Sequence, residues 1–381
     1  MLMPSPRFNP ETIAEPVLTK YERKLMRKIE TRDRRYFTKV GALAIAAGLL
    51  SGYWGDVQEN KTEQASAYID IDVAYEPEEN TDSAMIFLNG FGTIDADPIE
   101  KYQGPSTQLL EDSERWTVNY GDAVLNPQSI VNRLLDMAEE RGIETFSIYG
   151  RSIGGKIGAE VLLGLIEAGG PFVDKIIFNL TPDGIETLQP EKREQFGALD
   201  IVTAIPGAQY SSYIREIGEI IARHDYYDHG TLQERIDRFF KVQEDVQQGL
   251  ANKQLPAMAL LVDQASVVTN INLESIINKI GEASEAGRRP LLIYIANSDI
   301  STDPIVNTDK ASENICEYAD ESELECYIFY VKNDIHTRPD IVADEYMDTM
   351  QLAAPIINEA IEDERLLYEA TQAFGKKLDE E

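Results

Sequence analysis

Seven short apolar runs, spaced by stretches of helical pattern, set the architecture of this chain. Five are nearly continuous: residues 85–88 (MIFL), 146–149 (FSIY), 176–180 (IIFNL), 291–296 (LLIYIA) and 327–331 (YIFYV). A strand buried on both faces has no polar side to alternate with, so runs of this kind predict parallel strands covered by helices above and below. Residues 116–120 (WTVNY) form a weaker sixth run. Residues 68–73 (YIDIDV) instead alternate apolar and polar, as a half-buried edge strand does. Helical periodicity is clearest at 130–140 and 156–167. Strand and helix in alternation predict an α/β fold, with a mostly parallel sheet and helices on both of its faces.

The rhythm breaks once. From Gly184 to Gly287 a long polar stretch separates two strands, far beyond an ordinary crossover. It is helix-forming at 232–248 and carries Tyr210, Tyr213, Tyr226, Tyr227, Phe239 and Phe240. Residues 184–287 are therefore expected to be an inserted helical cap, dividing the core into 66–183 and 288–381.

The N-terminal region has a different character. Residues 1–39 hold ten Lys/Arg against five Asp/Glu, a net +5, within a chain of net charge −32, so the rest carries −37. A body that acidic repels phosphate backbones, which argues against a nucleic-acid partner. Its acid excess reads as solubility. Residues 36–54 contain one charge, Lys39, and are 19 residues long, close to what spans a bilayer as a helix. Lys39 can snorkel to one interface, while Tyr53 and Trp54 suit the other. The expected organisation is a basic cytoplasmic leader (1–35), a transmembrane helix (36–54), a linker (55–65) and an extracytoplasmic body, following the positive-inside rule. Asp33-Arg34-Arg35-Tyr36-Phe37-Thr38-Lys39 also resembles a twin-arginine export signal, and that resemblance implies a secreted protein after cleavage as the alternative. Cys316 and Cys326, the two cysteines of the chain, are either a disulfide in an oxidising compartment or two buried thiols.

Chemistry concentrates where strands end. Gly150-Arg151-Ser152-Ile153-Gly154 follows one strand and opens a helix. A serine on such a turn is held strained with its hydroxyl presented, and the glycines let strand and helix come close. The helix N-terminus adds partial positive charge beside a developing oxyanion. The bland alternative is a glycine-rich βα turn.

The order and spacing of these elements resemble the α/β-hydrolase superfamily, and G-R-S-I-G-G resembles its serine esterase, lipase and thioesterase branches. The resemblance covers about residues 66–355, apart from the cap. It implies Ser152 as nucleophile and an oxyanion hole from two backbone N–H groups. One belongs to Ile153. The other is assigned to Phe91, in Asn89-Gly90-Phe91-Gly92, which stands where the family has H-G-x-G, with Asn89 in place of its His. The resemblance also implies a general base after a late strand, where His336 stands. The orienting acid is expected after the preceding strand. Asp303, followed by Pro-Ile-Val, is the first choice and Asp299 the alternative. Serine, acid and histidine then occur in the order this fold uses.

These residues predict two-step acyl transfer to water on carboxylic esters, lipid esters included, with thioesters and peptides behind them. A catalytically silent anchored binding protein and an acyltransferase of the same fold are the competing functions. No cofactor is expected. No metal is expected either, because His224 and His229 in the cap lack a third spaced ligand set. Oligomeric state is open.

Overall fold

The structure, a computed structural model, describes residues 57, 69–77, 81–91, 113–120, 125–193, 207–227, 231–251, 258–270, 272–285, 288–298, 303–332 and 343–379. The expected transmembrane segment 36–54 lies outside these. Among the described residues no helix is long and apolar enough to cross a membrane.

All seven expected strands are present, as β1 (Asp70–Tyr75), β2 (Ser83–Leu88), β3 (Glu114–Asn119), β4 (Thr145–Arg151), β5 (Phe172–Asn179), β6 (Leu291–Asn297) and β7 (Cys326–Val331). They form one sheet in the order β1-β3-β2-β4-β5-β6-β7. Every pairing is parallel except β1 with β3, which is antiparallel. β1 runs two residues later than the alternation suggests. Its pairing continues past a register shift after Val73 to Tyr75, whose ring lies 4.4 Å under the Arg115 guanidinium.

Period-two geometry divides the apolar residues of each strand between two faces. Ile86, Leu88, Ile148 and Ile176 face one cluster, which also takes in helices α1 (Pro127–Arg141), α2 (Ile153–Glu167), α6 (Leu273–Ala283) and α7 (Thr308–Glu321). Met85, Phe87, Ile177 and Ile293 face the other, closed by Met350, Ala353 and Ile357 of α8 (Ala343–Asp379). Helices therefore cover both faces of a mostly parallel sheet, as the continuous strand runs require. Local signals start the helices. Asn126 accepts from the Gln128 and Ser129 amides before Pro127, and Gly142 ends α1 at φ 72. Asn272 and Asn307 cap α6 and α7 in the same way.

Between β5 and β6 lie α3 (Ser212–Ala222), a short turn His224–Tyr227, α4 (Leu232–Ala251), α5 (Met258–Asn270) and α6. They pack in two groups. Tyr227, Val242 and Val246 centre a small outer cluster, with Tyr227 and Phe239 edge to face at 5.5 Å. Leu260, Val267, Ile277 and Ile280 instead join the main core against the sheet. The long stretch thus supplies an outer helical group and also part of the layer over α2.

Candidate active site

Parallel strands end on one edge, so the loops following β2, β4, β5 and β6 meet there, which is where open α/β sheets place their ligands. Ser152 sits at the turn from β4 into α2 with φ 53 and ψ −127. That conformation is strained for a residue with a Cβ, costing about 1–3 kcal/mol, and persists only where surroundings impose it. Here they do. The Ser152 amide donates to the Asn179 carbonyl of β5 at 2.8 Å. Gly154 is pressed against the neighbouring strand so closely that a Cβ there would lie 2.2 Å from the Leu88 carbonyl oxygen. No side chain fits at 154, which explains the motif's last glycine in terms of space. Ser152 itself is 7% exposed.

Two of the expected oxyanion elements lie beside it. Ile153 is the first residue of α2, so its N–H has no acceptor within the helix and points out of the N-terminus. The loop after β2 passes directly against the serine. A Cβ on Gly90 would lie 3.2 Å from the Ser152 Cβ and 3.8 Å from its Oγ. Phe91 is the next residue, half-buried against the main core. Asn89 is buried, and its carbonyl accepts from the Tyr120 phenol at 3.2 Å.

Asp303 lies beyond β6 and is 2% exposed. Its Oδ1 accepts from the amides of Ile305 at 2.8 Å and Val306 at 2.9 Å, a turn that fixes the carboxylate. The loop is clamped from the β5 side. Gln189 Nε2 donates to the Asp303 carbonyl at 3.3 Å, the Gln189 amide donates to Ile305, and the Asn307 amide donates to Thr187. An isolated bridge pairs Leu188 with Val306. Asp299, His336 and His229 lie outside the described residues, as does the side chain of His224. Among the described residues no group of three or more His, Cys, Asp and Glu could hold a metal ion.

A buried polar cluster flanks the elbow, and sequence reasoning did not single it out. Lys156, one turn into α2 beyond Ser152, is fully buried and donates from Nζ to the Val268 carbonyl near the end of α5 at 3.2 Å. Burial pushes its ammonium down to about 8, partly offset by Asp183, Glu186 and Glu160. Burial raises the Glu160 carboxyl, against the pull of Lys156. Asp183 Oδ2 accepts from Asn314 at 2.7 Å and from the Tyr318 phenol at 3.2 Å. Burial and this carboxylate push Tyr318 up to about 12. The signal available in the sequence was a lysine four residues before Glu160 on a helix made otherwise mostly of glycine and apolar residues. Cys316 of α7 and Cys326 of β7 are joined as a disulfide, with Cα atoms 5.3 Å apart, inside the range such bridges occupy.

No protein-family model matches the sequence, and comparison with curated proteins finds no match. Among solved structures the chain is similar to a highly thermostable carboxyl esterase from Bacillus coagulans, at 11% identity and TM-score 0.47, over 77% of this chain and 100% of that one. It is also similar to a carboxylesterase of the thaumarchaeon Nitrososphaera gargenis, at 14% identity and TM-score 0.45, over 77% of this chain and 95% of that one. An esterase from Exiguobacterium antarcticum aligns at 12% identity and TM-score 0.43, over 76% of this chain and 95% of that one.

Proposed function

We propose that this protein is a serine hydrolase cleaving carboxylic esters through an acyl-enzyme on Ser152. The observation that carries the reading is the conformation of Ser152. It is a non-glycine residue at φ 53, at the turn from β4 into α2, with the loop at Gly90 so near that a Cβ there would lie 3.2 Å from its own. An ordinary βα turn has no need of that strain.

In this reading Ser152 Oγ attacks the ester carbonyl while His336 takes its proton, and Asp303 holds the imidazolium that forms, with Asp299 as the alternative acid. The carbonyl oxygen becomes an oxyanion and is met by the N–H groups of Phe91 and Ile153. His336 returns the proton to the leaving alcohol as the C–O bond breaks. Water then attacks the acyl-enzyme with His336 as base, releasing the acid and restoring Ser152. The outer helices between β5 and β6 are assigned the cap over this edge. Residues 36–54 are assigned the membrane anchor, with the acidic body outside and secretion after cleavage as the alternative.

The test is labelling by a fluorophosphonate probe, followed by peptide mapping. Wild type should label at Ser152, and Ser152→Ala should neither label nor hydrolyse esters while keeping its melting temperature. Near-normal turnover in Ser152→Ala would refute the assignment.

A further inference from the structure

We propose that Tyr120 is a positioning residue for the oxyanion loop: its phenol holds the Asn89–Gly90 peptide in the orientation that lets the loop present N–H groups to the Ser152 adduct. The proposal rests on Ser152 being the nucleophile, and goes beyond it by assigning what aims the second half of the oxyanion hole.

Three observations converge on this peptide. Tyr120 stands just past the end of β3, next to β2 in the sheet, and is fully buried, so its hydroxyl has a fixed direction. Its Oη donates to the Asn89 carbonyl at 3.2 Å. The same carbonyl oxygen also lies close to α2, since a Cβ on Gly154 would stand 2.7 Å from it. The Asn89 carbonyl therefore has both the elbow helix and the phenol against it, and a buried carbonyl is costly to leave without its partner.

The restraint matters because of the peptide to which this carbonyl belongs. In a trans peptide the C=O of one residue and the N–H of the next point in opposite directions. Fixing the Asn89 carbonyl toward Tyr120 fixes the direction of the Gly90 N–H and the path of the chain into Phe91. Gly90 lies where even a Cβ would come within 3.2 Å of the Ser152 Cβ, and glycine imposes little backbone preference of its own. Without the phenol, the peptide could turn and reverse its dipole beside the developing negative charge. In the resembling family a histidine occupies the place of Asn89; here the support comes from a different strand.

A merely structural tyrosine and a positioning one predict different kinetics. Oxyanion stabilisation acts in the transition state, so its loss lowers kcat while leaving KM nearly unchanged. It is also indifferent to acyl-chain length, because the charge develops on the same oxygen in every ester. Tyr120→Phe should lower kcat by about tenfold or more, with KM within about threefold. The factor should be the same from acetyl to decanoyl p-nitrophenyl esters. The rate of fluorophosphonate labelling at Ser152 should fall by a similar factor. Para-methylphenylalanine at 120, which fills the space without a donor, should behave like Tyr120→Phe. Para-aminophenylalanine, which keeps a donor, should restore kcat. These two variants decide the matter even if Tyr120→Phe folds poorly. Wild-type kcat in the para-methyl variant would overturn the proposal, as would a loss confined to KM or one that varies with chain length. If the intact wild-type protein labels at Ser152 while the Tyr120 variants are unaffected, only the positioning role falls. If wild type does not label at Ser152, the nucleophile assignment falls and takes this proposal with it.

Discussion

Raising the pH from 8 to 10 should make this protein more stable, through Lys156. Its ammonium has a folded-state pKa near 8 against an ordinary 10.5. At pH below 8 the lysine is protonated in both folded and unfolded chains, and its burial penalty is constant. Between 8 and 10.5 the folded protein has released the proton while the unfolded chain still holds it. The unfolded state then binds more protons, so stability rises with pH. The gap between about 8 and 10.5 corresponds to about 3 kcal/mol in all, of which about 2 kcal/mol falls between pH 8 and 10. The groups facing Lys156 are Asp183, Glu186 and Glu160, all acidic, and they already moderate the shift. Tyr318, Tyr294 and Tyr327 are all raised, and that stabilisation fades as pH passes through the ordinary tyrosine value of 10, which opposes the lysine effect at the top of the range, so measurements should stop there. Guanidinium unfolding at pH 7, 8, 9 and 10, followed by tryptophan fluorescence, reads the effect directly. Lys156→Met, close in length and without charge, should be flat across the same range, even though it leaves the Val268 carbonyl without its donor. A wild-type protein that loses stability from pH 8 to 10, or a variant with the same rise, would refute the assignment of the effect to this lysine.

Asp303→Asn should cost at least about a hundredfold in kcat if it is the orienting acid, whereas Asp299→Asn should stay near wild type. Activity in both variants would move the acid to another strand. Protease added to intact cells or spheroplasts should digest the body and spare the leader if residues 36–54 are an uncleaved anchor; a body protected until the membrane is broken would reverse the topology. Loss of Ser152 should remove on the order of 10⁴-fold or more of turnover, measured on the same ester used for the probe competition.

The sheet was readable because its physics is local. Runs such as LLIYIA at 291–296 have no polar face, and only a strand covered on both sides can hide them. The alternation at 68–73 likewise marked the edge, although the end of β1 depends on a register shift opposite Arg115 that no single segment encodes. At the site, Ser152 and Gly154 were legible because the strand-to-helix turn restricts which residues fit. The clamp on the Asp303 loop was not, since Gln189 and Asp303 are 114 residues apart and neither carries a distinctive motif. The Tyr120–Asn89 bond, between neighbouring strands, was hidden for the same reason. The division of residues 184–287 was also beyond sequence reasoning. The apolar residues of α5 and α6 look like those of any amphipathic helix, and only tertiary packing shows that they cover α2.

The two rims of the sheet are not alike, and this bears on how the molecule behaves in a crowded solution. β1 carries Asp70 and Asp72, charges that discourage another chain from pairing with it. β7 reads CYIFYV without a charge, with Tyr327 and Phe329 stacked at 6.4 Å and Tyr330 half exposed. Short uncharged segments of this composition are the kind that assemble between molecules. Such assembly is restrained at neutral pH by long-range repulsion from a net charge of −32. That restraint vanishes near the isoelectric point of about 4.4. Colloidal stability is thus entrusted to the acidic surface as a whole, and mild acid is the condition under which copies are expected to begin to adhere along this rim.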